Sequence, residues 1–149
     1  MTTVPRLSGY IFDSLLELED GAAAIITSGA GSTIIDLGEA HVTGDIVLDI
    51  SAIDTVTGDE LYTIYVEVSD DPAVATGVEH VASIELGGVT GAAGSRDVAT
   101  DAGRYIIPFQ NQMNDRQYRY VNLQLVIGGT SPSITMQAYL SKAKNSVGD

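Results

Sequence analysis

This chain has no cysteine and no tryptophan, holds only two histidines, and carries no lysine or arginine between residues 7 and 95. Without cysteine there is neither a disulfide framework nor a thiolate metal site, so an apolar core has to hold the fold. At 149 residues the chain is long enough to form one, and it is expected as a single domain over 1–149. No apolar run exceeds five residues, so no segment offers a membrane span. The opening MTTVPRLSGY lacks the charged-then-apolar layout of a secretory leader. The expectation is a soluble protein with no membrane partner.

Charge is equally one-sided. Seven Lys+Arg stand against twenty Asp+Glu, a net charge of −13, and sixteen of the acids lie within the base-free stretch 7–95. Nucleic-acid binders gain affinity by neutralising phosphates with Lys and Arg, so no nucleic-acid partner is expected on this balance. A surface of this kind repels copies of itself and leaves a basic protein surface as the electrostatically matched partner.

What the sequence does have is two-residue alternation of apolar and polar side chains, with almost no helical periodicity. Eight strands are expected: 22–27, 33–37, 45–54, 60–69, 78–86, 104–109, 118–127 and 133–140. The first two are joined through Ser28-Gly29-Ala30-Gly31, read as a glycine-rich turn. Strand 60–69 places Tyr62, Ile64, Val66 and Val68 on one face. Strand 118–127 places Arg119, Val121, Leu123, Leu125 and Ile127 together, leaving Tyr118, Tyr120 and Val126 to add apolar surface to its other face. Strand 133–140 aligns Ile134, Met136, Ala138 and Leu140.

Short strands without crossover helices predict an all-β fold, a two-sheet antiparallel sandwich of the jelly-roll kind. An immunoglobulin-like sandwich is the alternative, and its usual core Trp and Cys pair are missing. Pro108 cannot donate to a ladder, so its strand should end there or lie at a sheet edge. Residues 1–20 are expected as an N-terminal arm or a short helix, with Ile11, Phe12, Leu15 and Leu16 either free for a partner or packed on the protein's own sandwich. Residues 87–103, rich in glycine, are expected as a long exposed loop.

Candidate chemistry is sparse. His41 and His80 form no H-x-H pair of the sort a metal-binding cupin barrel uses. No G-x-S-x-G marks a nucleophile. Many carboxylates sit in expected turns (Asp20, Asp45, Asp59, Asp70, Asp71), where aspartate favours the local backbone. No acidic loop follows the calcium-loop spacing, and no glycine pair leads into the Lys-Ser/Thr of a phosphate loop. No catalytic, cofactor-binding or metal-ligating residue is assigned, and the expectation is a structural module rather than an enzyme.

Two segments carry a likeness. Residues 15–38, LLELEDGAAAIITSGAGSTIIDLG, run from an apolar stretch through a Ser/Gly turn into Ile35-Asp36-Leu37-Gly38. Residues 61–71, LYTIYVEVSDD, form an alternating strand ending in Ser-Asp-Asp. Together they resemble the capsid cement (decoration) proteins of tailed phages of the Bordetella phage type. That resemblance implies a jelly-roll virion protein on the capsid exterior, assembled in the host cytoplasm. Its partners would be the major capsid protein and two further copies of itself in a homotrimer. A tail component or a glycan-binding domain is the alternative. Contact with the partner is expected from the arm, through Tyr10, Ile11, Phe12, Leu15 and Leu16, helped by Arg96 and Arg104.

Overall fold

The computed structural model describes residues 13–88 and 99–141. A single 3-10 turn, Ser14–Leu16, precedes eleven strands. These are β1 (Glu17–Asp20), β2 (Gly29–Ala30), β3 (Ile35–Asp36), β4 (Thr43–Ile53), β5 (Leu61–Ser69), β6 (Glu79–Gly87), β7 (Gly103–Gln110), β8 (Gln112–Met113), β9 (Arg116–Gln117), β10 (Tyr120–Gly128) and β11 (Ile134–Ser141). One sheet runs β1-β11-β4-β7; the other runs β2-β10-β5-β6, with β3 also on β10, and every pairing is antiparallel.

This order is that of a jelly roll. With β2 and β3 taken as one interrupted position and the small β8-β9 hairpin set aside, the positions pair as nested partners: β1 with β11, β2/β3 with β10, β4 with β7, β5 with β6. Rolling that long hairpin adds β11 to β4 and β10 to β5, which closes the two sheets over each other.

Alternation explains the core. Tyr62, Ile64, Val66 and Val68 of β5, Val121 and Leu123 of β10, and Ile134 and Ala138 of β11 are each 0% exposed and face the opposite sheet. Their shared face is the one that the two-residue period assigns. Pro108 lies in β7, the edge strand of its sheet, as its missing N–H requires, although the strand runs on to Gln110.

Several expectations change. The expected strand 22–27 is reduced to one bridge, Ile25 with Ile134, because three alanines supply no face worth burying. Only Ile35–Asp36 of 33–37 is a strand. The supposed glycine turn contains β2, paired with Gln124 and Leu125. Gly31 serves a close approach instead: a Cβ there would stand 2.8 Å from the Leu18 carbonyl oxygen. Asp45 lies inside β4 rather than in a turn. Tyr118, expected outside, belongs to the inter-sheet core at 7% exposure. Within the stretch expected as an arm, Glu17–Asp20 is a strand of the first sheet, with Leu18 fully buried.

Strand directions give the sandwich two poles. One gathers the β4–β5 turn, the β10–β11 turn, the end of β6 and the start of β7. The other gathers the β5–β6 turn, the β7–β10 connection and both ends of the flanking chain, at Asp13 and Ser141.

Candidate interaction surface

At the second pole, four residues far apart in sequence meet around the start of β10. Arg119 grips Asp36 with two bonds, Nε to Oδ1 at 2.8 Å and Nη2 to Oδ2 at 2.9 Å. Arg116 Nη2 donates to Asp70 Oδ2 at 2.8 Å, and the Arg119 backbone N–H donates to Asp70 Oδ1 at 3.2 Å. Each guanidinium also lies over a tyrosine ring, Arg116 over Tyr118 at 5.2 Å and Arg119 over Tyr120 at 5.4 Å. Asp36 is the aspartate of the IDLG segment and Asp70 belongs to the Ser-Asp-Asp segment, so the fold brings both distinguishing motifs together here. The adjoining turn is closed by Asp71, whose carboxylate accepts from the N–H groups of Ala73, Ala75 and Thr76. Those bonds hold its carboxyl below the ordinary value.

The pairing with Arg119, and then the N–H of Gly38, lowers the Asp36 carboxyl from 3.8 to about 2. A carboxyl depressed on folding contributes stability above its unfolded value and loses it as pH falls toward the folded one. Asp36→Asn should therefore lower the thermal midpoint at neutral pH, with the gap from the native protein closing between about 4 and about 2. Added salt should narrow the gap at neutral pH, because both partners are nearly half exposed. A gap of equal size at pH 2 would show that lost packing, not charge, is responsible.

The residues expected from sequence to touch a partner separate into three places. Leu15 sits on the 3-10 turn at this same pole with 82% exposure, and its N–H is capped by the Asp13 carboxylate at 2.9 Å. Leu16 packs against the core instead. Beside it Leu16, Leu37, Val42 and Leu140 line a small apolar groove of about 240 Å³. Arg104 lies on the outside of the first sheet, its guanidinium bonded to both oxygens of Asp49 at 2.7 and 3.0 Å. Tyr10, Ile11, Phe12 and Arg96 lie outside the described residues.

The outer face of the second sheet holds a cluster that the sequence reading missed. His80 stacks on Tyr65 with ring centroids 4.4 Å apart, and its Nε2 lies 3.3 Å from Glu67 Oε2. Asn122 stands opposite Glu67 across β10 and β5, is 4% exposed, and its Oδ1 has no partner among the described residues. The available signal was the second phase of β5, where Tyr65 and Glu67 alternate with the core side chains. His41 is an exposed residue of the loop before β4.

Among the described residues no group of three His, Asp or Glu side chains is placed to hold a metal. A hollow of about 500 Å³ between Val81, Gln110 and the β8–β9 hairpin is an open trough. What this surface offers is paired charge, the half-buried ring of Tyr120 and a shallow apolar groove, the elements of a protein-docking face. No protein-family model matches the chain, and no curated protein matches it.

Proposed function

We propose that this chain is a head-decoration protein of a tailed phage, a non-enzymatic cement that binds the outer surface of the capsid as a homotrimer. The observation that supports the reading is the convergence of the two cement-like segments, through Asp36 and Asp70, at one pole of a jelly roll. A cement must keep its shape under load, and strands whose far-apart neighbours are cross-tied by Arg–Asp pairs suit that task. A net charge of −13 suits a protein that stays on the outside and does not engage the packaged DNA.

The docking residue at that pole is Leu15. Burying one leucine at a contact contributes roughly 1.5–3 kcal/mol, so Leu15→Asp should weaken head binding at least about tenfold while leaving the melt unchanged. The test is co-sedimentation of purified protein with heads that lack it, over a range of salt. Native protein that stays in the supernatant with such heads, together with a monomer mass by light scattering, would overturn the proposal.

A glycan-binding module is the second reading, favoured by one observation: the Tyr65–His80 stack beside the unpartnered amide oxygen of Asn122. Saturable binding to an oligosaccharide that disappears in Tyr65→Ala would select it.

A further inference from the structure

The outer face of the second sheet gathers hydrogen-bond acceptors and supplies few donors for them. Glu67 is 9% exposed and Asn122 is 4% exposed, opposite each other on β5 and β10. An amide oxygen or carboxylate at that depth costs free energy unless a donor reaches it. The Asn122 Oδ1 has none among the described residues. Glu67 has the Nε2 of His80 at 3.3 Å, whereas a charge-assisted bond is ordinarily about 2.7–2.9 Å long. The described bases are engaged elsewhere: Arg104 with Asp49 on the other sheet, Arg116 with Asp70 and Arg119 with Asp36. Arg6, Arg96, Lys142 and Lys144 lie outside the described residues. His80 shows the shape of group that this place accepts. Its ring lies flat on Tyr65, with centroids 4.4 Å apart and planes 24° from parallel, while its Nε2 edge faces the Glu67 carboxylate. The imidazole is 49% exposed and the Glu67 side chain 11%, so the ring is the part that can swing away into water.

We propose that Tyr65, Glu67 and Asn122 form a recognition site for an arginine side chain of a protein partner, whose guanidinium takes the place of the His80 ring. A guanidinium is planar, always charged, and carries five N–H donors in a fixed fork. Stacked on Tyr65 it gains a cation–π contact, and its fork can place two donors on the Glu67 carboxylate and turn another toward the Asn122 amide oxygen. A lysine ammonium cannot lie flat on the ring, and a sugar hydroxyl brings no charge to the carboxylate. The net charge of −13 draws arginine and lysine alike, so a preference between them belongs to the site and not to the surface at large. β5 ends, and β6 and β10 begin, at the pole that carries Leu15, which places the site on the flank of that pole. The inference does not rest on head binding.

The probe is a blocked tripeptide, acetyl-Gly-Arg-Gly-amide, with its lysine analogue at the same salt as the charge control. In nitrogen-15-labelled full-length protein, the Asn122 side-chain amide resonances should shift saturably with the arginine peptide. At least about tenfold more of the lysine peptide should be needed for the same shift. Glu67→Gln should weaken arginine binding at least about tenfold, because it removes the charge from the acceptor. His80→Ala, which removes the competing ring, should strengthen it. Thermal melts establish that each variant is folded, and the comparison of the two peptides on native protein needs no variant. Absence of a saturable shift would overturn the proposal, as would equal response to the two peptides, which assigns the attraction to net charge. Unchanged affinity in folded Glu67→Gln would overturn it too. A shift with an oligosaccharide and none with the arginine peptide would do the same and select the glycan-binding reading.

Discussion

Asn111→Ala is expected to lower folding stability by roughly 2–4 kcal/mol, because it removes the partner of three backbone groups at once, one buried and two partly buried. The side chain is 0% exposed and its amide is fully used. Its Oδ1 accepts from the Val42 N–H at 2.8 Å, and its Nδ2 donates to the carbonyls of Ala40 at 2.9 Å and Tyr118 at 2.8 Å. Its backbone bonds two of the same neighbours, donating to Val42 at 3.2 Å and accepting from Tyr118 at 2.8 Å. One residue thus ties the chain entering β4 to the base of the β8–β9 hairpin. Alanine leaves a donor and two acceptors without this partner, and of these the Tyr118 carbonyl is fully buried. Asn111→Asp is the sharper variant, since it keeps the acceptor for Val42 but turns a carboxylate toward two carbonyls, and it should be at least as harmful at neutral pH. Against a total stability of about 5–15 kcal/mol, either variant should lie near the edge of folding. Urea melts at neutral pH measure this, and a loss under about 1 kcal/mol would mean that water takes over the role of the amide.

Gly129→Ala is expected to cost about 2–5 kcal/mol, from backbone strain and overlap together. Gly129 has φ +101°, where side chains are rarely found, and a Cβ there would stand 2.5 Å from the Asp59 carbonyl oxygen and 2.6 Å from the Glu60 Cα. Those are backbone atoms of the facing turn and cannot swing aside. Nor can the turn retreat easily. Thr130 donates its N–H and hydroxyl to the Asp59 carboxylate at 3.0 and 2.8 Å, and the buried Glu60 carboxylate accepts from Thr57 and Gly58. The neighbouring Gly128→Ala is the control, because nothing lies within 4 Å of its added Cβ. The two variants differ by one position and should differ by several degrees in thermal midpoint. Similar midpoints would show that the two turns can separate without loss.

Most of the sheet structure was legible because its signal is local. β4, β5, β6, β7, β10 and β11 all start and end within two residues of the strands expected from alternation. The inward residues of β5 are those that the two-residue period selects. The site was far less legible. Leu15 and Leu16 are adjacent leucines in sequence, but one projects from a 3-10 turn and the other packs into the core. Nothing in their side chains distinguishes them. Likewise, Glu17–Asp20 reads as part of the N-terminal arm, and it becomes a strand only because β11 offers it an unpaired edge.

What the sequence by itself determined is the set of central strands, their buried faces, the restriction that Pro108 places on its strand, and a strongly acidic charge balance. Each follows from side-chain polarity at fixed spacing, from a missing N–H or from a count of charges, none of which needs the chain to be folded. Tertiary structure alone decided which strands are neighbours and which loose charges become ties. Arg119 and Asp36 are 83 positions apart, and Asn111 and Ala40 are 71. No periodicity reaches across such distances; only the rolling of one antiparallel hairpin onto itself brings those partners within hydrogen-bond range.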